Sequence, residues 1–316
     1  MRLNAVTLRG WVNAAVIVVL ALVPVIVNLT DNAFFLDLAT RFVILAIAAV
    51  SLNLILGYGR MISFGHAAYI GIGAYAVGIP AYYEIYNGYL HILIAMSVSA
   101  AFALVTGLVC LRTRGVNFIM ITMAFAQMVF FAFVSIEEYG GDDGLVIEMR
   151  SEFGSLVDLE NPSVLYYVCF VSLLLVLYVI RRMVRSRFGM VIQGARGNEP
   201  RMQSLGFNTF RYKLVCYVIA GTICGFAGAL LGNFTNFISP EMMDWTRSGE
   251  LIFMVVLGGT GSVFGPVLGT SVFLLLEEIL SGLWLYWQLA FGIFLILAVL
   301  FAKGGIDGLL SGRRSH

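Results

Sequence analysis

Long stretches of this chain contain no Asp, Glu, Lys or Arg. Nine such runs, 11–30, 42–59, 61–83, 85–111, 115–136, 161–180, 214–240, 251–276 and 279–302, approach or exceed the roughly 20 apolar residues that cross a bilayer core about 30 Å thick. Periodicity within them says little, because a helix apolar on every side is what lipid demands. The pattern predicts an all-α integral membrane protein, with 1–316 as a single transmembrane domain. About eight full spanning helices are expected, plus one glycine-rich segment that re-enters or breaks, giving eight to ten spans with both termini cytoplasmic.

Composition agrees: 60% of residues are hydrophobic and 12% charged, against roughly half and a quarter in soluble domains. Arg2 and Arg9 precede the first run as in a secretory leader. That run is long enough to span and no small-residue cleavage site follows it, so it reads as the first transmembrane helix.

Charge placement sets the orientation. With the N-terminus inside and every run crossing once except 251–276, which returns to its own side, 16 of the 19 Lys and Arg are cytoplasmic. Only Arg41, Arg150 and Arg247 fall outside, as the positive-inside rule requires. A single crossing by 251–276 would put Lys303, Arg313 and Arg314 outside. The stretch Leu257–Gly269 holds Gly258, Gly259, Gly261, Gly265, Pro266 and Gly269. It reads as two short helical pieces meeting at a turn, or as two ordinary close-packed helices.

Two connections stand out. The extracytoplasmic loop 137–160 carries eight Asp/Glu against Arg150. It is either a solvated connection or a docking surface, for which Asp142, Asp143 and Glu148 are the candidates. The largest cytoplasmic segment, Arg181 to Lys213, carries eight Lys/Arg and one acid, Glu199. There Asn198 can cap a helix, Pro200 suits its first turn, and Gly206 can end it. A short helix from about Glu199 to Leu205 follows, with Met202 and Leu205 on one face, suited to a socket in a partner.

Catalytic patterns are missing. The two lysines, Lys213 and Lys303, sit in no phosphate-binding loop, and no nucleophile elbow or zinc-protease motif occurs. Cys110, Cys169, Cys216 and Cys224 form no C-x-x-C pair and the three histidines are far apart, so no metal site is expected. The near-zero net charge gives no reason to expect nucleic acid. Polar groups within the runs are candidates for a solute pathway or gate: Asn53, Ser63, His66, Thr122 and Gln127, with Gly258, Gly259 and Gly261 at the turn. For the glycines of 57–73, close helix packing is the competing explanation.

The stretch Ser51–Tyr75 (SLNLILGYGRMISFGHAAYIGIGAY) resembles the opening signature of permease subunits of branched-chain amino acid ABC importers. So do Arg114–Gln127, Gly140–Leu145, Ser186–Gly189, Gly197–Glu199, Ser204–Gly206, Arg211–Leu214, Gly249–Leu251, Leu257–Ser262 and Gly265–Gly269, spanning about 50 to 270. The chain is similar to the second, loop-bearing permease of the pair.

The resemblance implies a multi-pass protein of the bacterial inner membrane, in lipid, beside a second permease subunit. Two cytoplasmic ATPase subunits would hold ATP and Mg, this chain needing no cofactor and binding no nucleic acid. A periplasmic solute-binding protein would deliver the solute. It also implies that 183–213 is a coupling loop, with the ATPase-coupling role falling on Asn198, Glu199, Met202, Ser204, Leu205 and Gly206. Pro200, Arg201 and Met202 stand where relatives usually carry small residues. The solute could be a branched-chain or hydrophobic amino acid, urea, a short amide, or an aromatic or dicarboxylic acid. The alternative is a stand-alone secondary transporter with a broken-helix site; that none of the nine runs contains Asp or Glu counts against it. A membrane enzyme lacks any nucleophile–base pair.

Overall fold

The computed structural model describes residues 2–30, 33–154, 158–283, 286–301 and 304–310. Of the cations expected inside, Lys303, Arg313 and Arg314 lie outside these described residues. The helices are α1 (Arg2–Thr30), α2 (Ala33–Asn53, continued by a π-turn Leu54–Tyr58), α3 (His66–Tyr82), α4 (Gly88–Cys110), α5 (Val116–Val134) and α6 (Pro162–Val184). Two short ones, α7 (Arg187–Gly197) and α8 (Glu199–Ser204), precede α9 (Thr209–Thr235). The chain continues through α10 (Trp245–Gly258), α11 (Gly265–Leu283), α12 (Trp287–Phe301) and α13 (Gly305–Leu310). Among the described residues seven helices are long and apolar enough to cross a membrane: α1, α2 with its π-turn, α4, α5, α6, α9 and α11. The others that lie in the apolar runs, α3, α10 and α12, have 17, 14 and 15 residues.

Local chemistry fixes many of the ends. Asn87 accepts from the Tyr89 and Leu90 amides at the start of α4. Asn161 caps α6 ahead of Pro162, and Asn208 caps α9. Each cap satisfies amides that the first helical turn leaves unpaired.

At the centre, α3 packs along α9 with backbones nearly touching. A β-carbon on Gly73 would collide with the Gly225 carbonyl, and one on Gly228 with the Ile70 carbonyl. Small residues at a helix crossing are how membrane helices approach closely without a hydrophobic driving force between them. For Gly73, close packing is therefore the role.

The glycine-rich segment folds as two helices of 14 and 19 residues, the second long and apolar enough to cross. α10 and α11 form a hairpin whose backbones meet at Gly258, Gly265 and Gly269, joined by the turn 259–264. Gly259 and Gly261 hold φ of 111° and 85°, which L side chains rarely adopt. Both arms outrun the apolar run: α10 begins before Arg247 and Glu250, and α11 continues past Glu277. Arg41 likewise lies within α2. Three charges expected in connections or at run ends are thus helical, and a fourth, Glu250, joins them.

The run 61–83 is not one helix. Residues 61–65 are non-helical and α3 starts at His66. At the other end, the outer loop is built rather than loose. β1 (Leu145–Val146) pairs antiparallel with β2 (Phe237–Ile238). Arg150 reaches the carbonyl of Leu159 at 2.9 Å and Asn236 Oδ1 at 3.3 Å.

Candidate functional site

Three regions carry the candidate chemistry. The first is the cytoplasmic segment. Ser186 caps α7, and the Asn198 side chain caps α8 by accepting from the Arg201 amide at 3.0 Å. Gly206 ends α8 at φ 87°. Glu199 faces inward: Lys213 Nζ lies 2.7 Å from its carboxylate, the Thr209 hydroxyl 3.0 Å and Arg114 3.3 Å. Burial alone would raise the Glu199 pKa, but these partners outweigh it and hold the carboxyl below its ordinary value. Glu199 therefore anchors α8 to α9 and to the α4–α5 connection.

Met202 and Leu205 part company. Met202 is half-buried and packs toward Gly194 of α7, while Leu205 is 65% exposed. The outward apolar tip is Leu205 with Phe207, 38% exposed, on either side of Gly206; Ser204 is exposed beside it and bonds back to the Pro200 carbonyl. Beneath this segment lies a cavity of about 610 Å³ whose lining includes Arg60, Arg112, Arg114, Arg196 and Lys213. Five cations gathered at one end of the bundle fit the expected cytoplasmic side.

The second region is the pair of breaks in the membrane part, where unpaired backbone is costly. At 61–65, the Phe64 amide donates to the Thr122 hydroxyl (3.2 Å), the Gly65 amide to Ser63, and the Ala67 amide to Ser248 of α10 (2.8 Å). At 259–264, Asn53 receives the Gly261 amide (3.3 Å) and donates to the Ser262 carbonyl (2.8 Å). Arg196 of α7 donates to the Gly57 carbonyl beside the same turn. The predicted pathway residues Asn53, Ser63 and Thr122 thus satisfy irregular backbone. His66 is fully buried, edge-on to Tyr69 at 5.5 Å, with no hydrogen-bond partner on either ring nitrogen. Gln127 is half-buried on α5 and makes no hydrogen bond among the described residues. None of these residues, nor Gly258, Gly259 or Gly261, lines the 610 Å³ cavity.

The third region was not visible as a site in the sequence. A cavity of about 150 Å³ lies among α2, α3, α9, α10 and α11, and its lining includes Arg41, Arg247, Glu250 and Glu277. Arg41 pairs with Glu277 at 3.2 Å and Arg247 with Glu250 at 3.1 Å. The Arg247–Glu250 spacing of three residues, one helical turn, was the available signal. Outside, Asp142, Asp143 and Glu148 are exposed and unpaired among the described residues.

Seven long apolar helices among the described residues, with irregular backbone sheltered between them and a capped short helix at one end, make a multi-pass membrane protein. The branched-chain amino acid transport system / permease component family matches residues 34–302, and the chain belongs to it. It is 27% identical to the high-affinity branched-chain amino acid transport system permease protein LivM of Salmonella typhimurium, over 85% of this chain and 69% of that protein. Identity to LivH of Escherichia coli is 26%, over 83% and 91%, and to a probable LivM of Methanocaldococcus jannaschii 23%, over 82% and 89%. No solved structure matches significantly. The chain is a permease subunit of an ABC importer, a multi-pass protein of the inner-membrane type.

The family assignment disposes of the stand-alone transporter, but one reason for rejecting it does not hold. The runs lacked acids only because they were cut at charged residues; Glu250 and Glu277 lie inside helices.

Proposed function

We propose that this permease forms a solute pathway with a second, different permease subunit, and that two cytoplasmic ATPases holding ATP and Mg drive it through α8. The observation that carries the reading is the construction of α8. It is capped at both ends, fixed from behind by Glu199, and turns Leu205 and Phe207 outward. A lever must be stiff and must grip, and buried apolar side chains supply roughly 1.5–3 kcal/mol each. The outer loop is proposed to receive a periplasmic solute-binding protein. Its one cation is consumed internally, which leaves Asp142, Asp143 and Glu148 to meet a basic rim and speed association. The solute is proposed to be a branched-chain amino acid, the class in the names of the LivM and LivH relatives, or another hydrophobic amino acid.

Leu205→Asp tests the coupling role. It should leave insertion intact while ATPase subunits no longer co-purify with the permease pair, and solute-stimulated hydrolysis should fall at least roughly tenfold, the equivalent of about 1.4 kcal/mol. Normal co-purification and coupling would assign the ATPase contact elsewhere.

A further inference from the structure

The four charges around the 150 Å³ cavity keep 21–47% of their side-chain surface open toward it and its surroundings. Taking the 259–264 turn and Gly57 as the cytoplasmic level and 1.5 Å of rise per residue, they sit roughly 12–24 Å above it, within a hydrocarbon core about 30 Å thick. Charged side chains at such depth are expensive and mark pathways or ligand sites more often than scaffolding. They also belong to the elements a transport cycle must move: α2 and α10 both reach the 259–264 turn, through Asn53 and Gly259, and Arg196 ties that neighbourhood to α7 and thus to α8.

We propose that this cavity is a transit site for a zwitterionic α-amino acid with an aliphatic side chain. The inference rests on the permease reading above and names the group chemistry that recognises the solute. The cavity is formally neutral, with two guanidinium groups and two carboxylates. An incoming zwitterion inserts its carboxylate beside Arg41 or Arg247 and its ammonium beside Glu250 or Glu277, and the total charge stays zero. A monocarboxylate or an amine would leave one charge uncompensated at depth, which costs several kilocalories per mole. The existing ion pairs keep the empty site affordable and are exchanged for equivalent pairs with the ligand. Leu45, Ile70 and Met254 supply an apolar wall. A volume near 150 Å³ is that of a cavity that takes a benzene ring, which suits a branched aliphatic side chain and excludes an indole.

The test uses the complex assembled with its partner subunits in nanodiscs, without binding protein, and millimolar leucine as probe. Leucine should raise the melting temperature. 4-Methylpentanoate, which lacks the ammonium, and 3-methylbutylamine, which lacks the carboxylate, should not. Glu250→Gln with Glu277→Gln should abolish protection by leucine and admit 4-methylpentanoate. In proteoliposomes with binding protein, the same variant should lose roughly tenfold or more of maximal leucine uptake, as expected for the loss of charge contacts to the solute's ammonium. Half-saturation by loaded binding protein should be unchanged. Leu45→Trp, which fills the cavity without touching a charge, should also remove protection, so the outcome does not hang on the folding of the neutralised variant. If the variants lose uptake but the ranking of the three probes is unaltered, the ion pairs are structural and the site is refuted. Normal uptake by the double variant refutes it too. A wild-type complex that moves no leucine at all overturns the solute class itself, a failure distinct from that of the site.

Discussion

The two interruptions of helix within the membrane part solve one problem in opposite ways. At 61–65 the chain passes from α2 to α3 through non-helical backbone, and hydroxyls meet amides there and in the first turn of α3: Thr122, Ser63 and, from α10, Ser248. At 259–264 the chain reverses, and one side chain, Asn53, serves an amide and a carbonyl of the turn together. The first break draws small contributions from three elements. The second leans most on Asn53, with the Ser262 hydroxyl accepting from the Gly265 amide at 3.0 Å. α10 spans both, with Ser248 near its start and Gly259 just past its end. The design makes α10 a strut between an interruption built for tolerance and one built for definition.

Asn53→Leu should do the most damage. It removes the acceptor of the Gly261 amide and one donor to the Ser262 carbonyl, and buried hydrogen-bond deletions cost about 1–3 kcal/mol each, so a loss of roughly 2–5 kcal/mol is expected in the thermal unfolding of the detergent-solubilised protein. A loss below that of the hydroxyl deletions would erase the distinction between the breaks.

Ser248→Ala should cost less, about 1–3 kcal/mol, because a single buried amide, that of Ala67, loses its acceptor. It also severs the strut at its upper end. Protection of the Ala67 amide in hydrogen exchange should fall, while the Gly261 amide keeps its protection. Simultaneous loss at both would mean that the breaks behave as one unit.

Thr122→Val should cost least, about 1 kcal/mol, since the shape is kept and the Phe64 amide lies in a segment only partly buried. A melting shift as large as that of Asn53→Leu would show that the break at 61–65 is no more tolerant than the turn.

The contrast also explains what the sequence disclosed. The spans were legible because lipid imposes one requirement on every residue of a crossing helix. α8 was legible because Asn198, Pro200 and Gly206 act on backbone within a few residues of themselves. The non-helical stretch 61–65 was hidden because apolar residues look alike in helix and in irregular backbone. Asn53 was visible as a buried polar residue, but its partner lies 209 positions away, so its task could not be read locally. Arg41, Arg247, Glu250 and Glu277 were masked by the assumption that a charge ends a span, which fails where helices shelter charges against one another.

The pairing of β1 with β2 has a consequence in time. Val146 meets Phe237, and Ser151 donates its amide to Asn233, so the acidic loop takes its shape from the far end of α9. A ribosome adding 5–20 residues per second needs about 5–20 s to make the intervening chain. For that interval the loop is already translocated yet has no template to fold on. Under the docking role proposed for this loop, a partner that recognises its finished form engages only a chain whose later helices are in place.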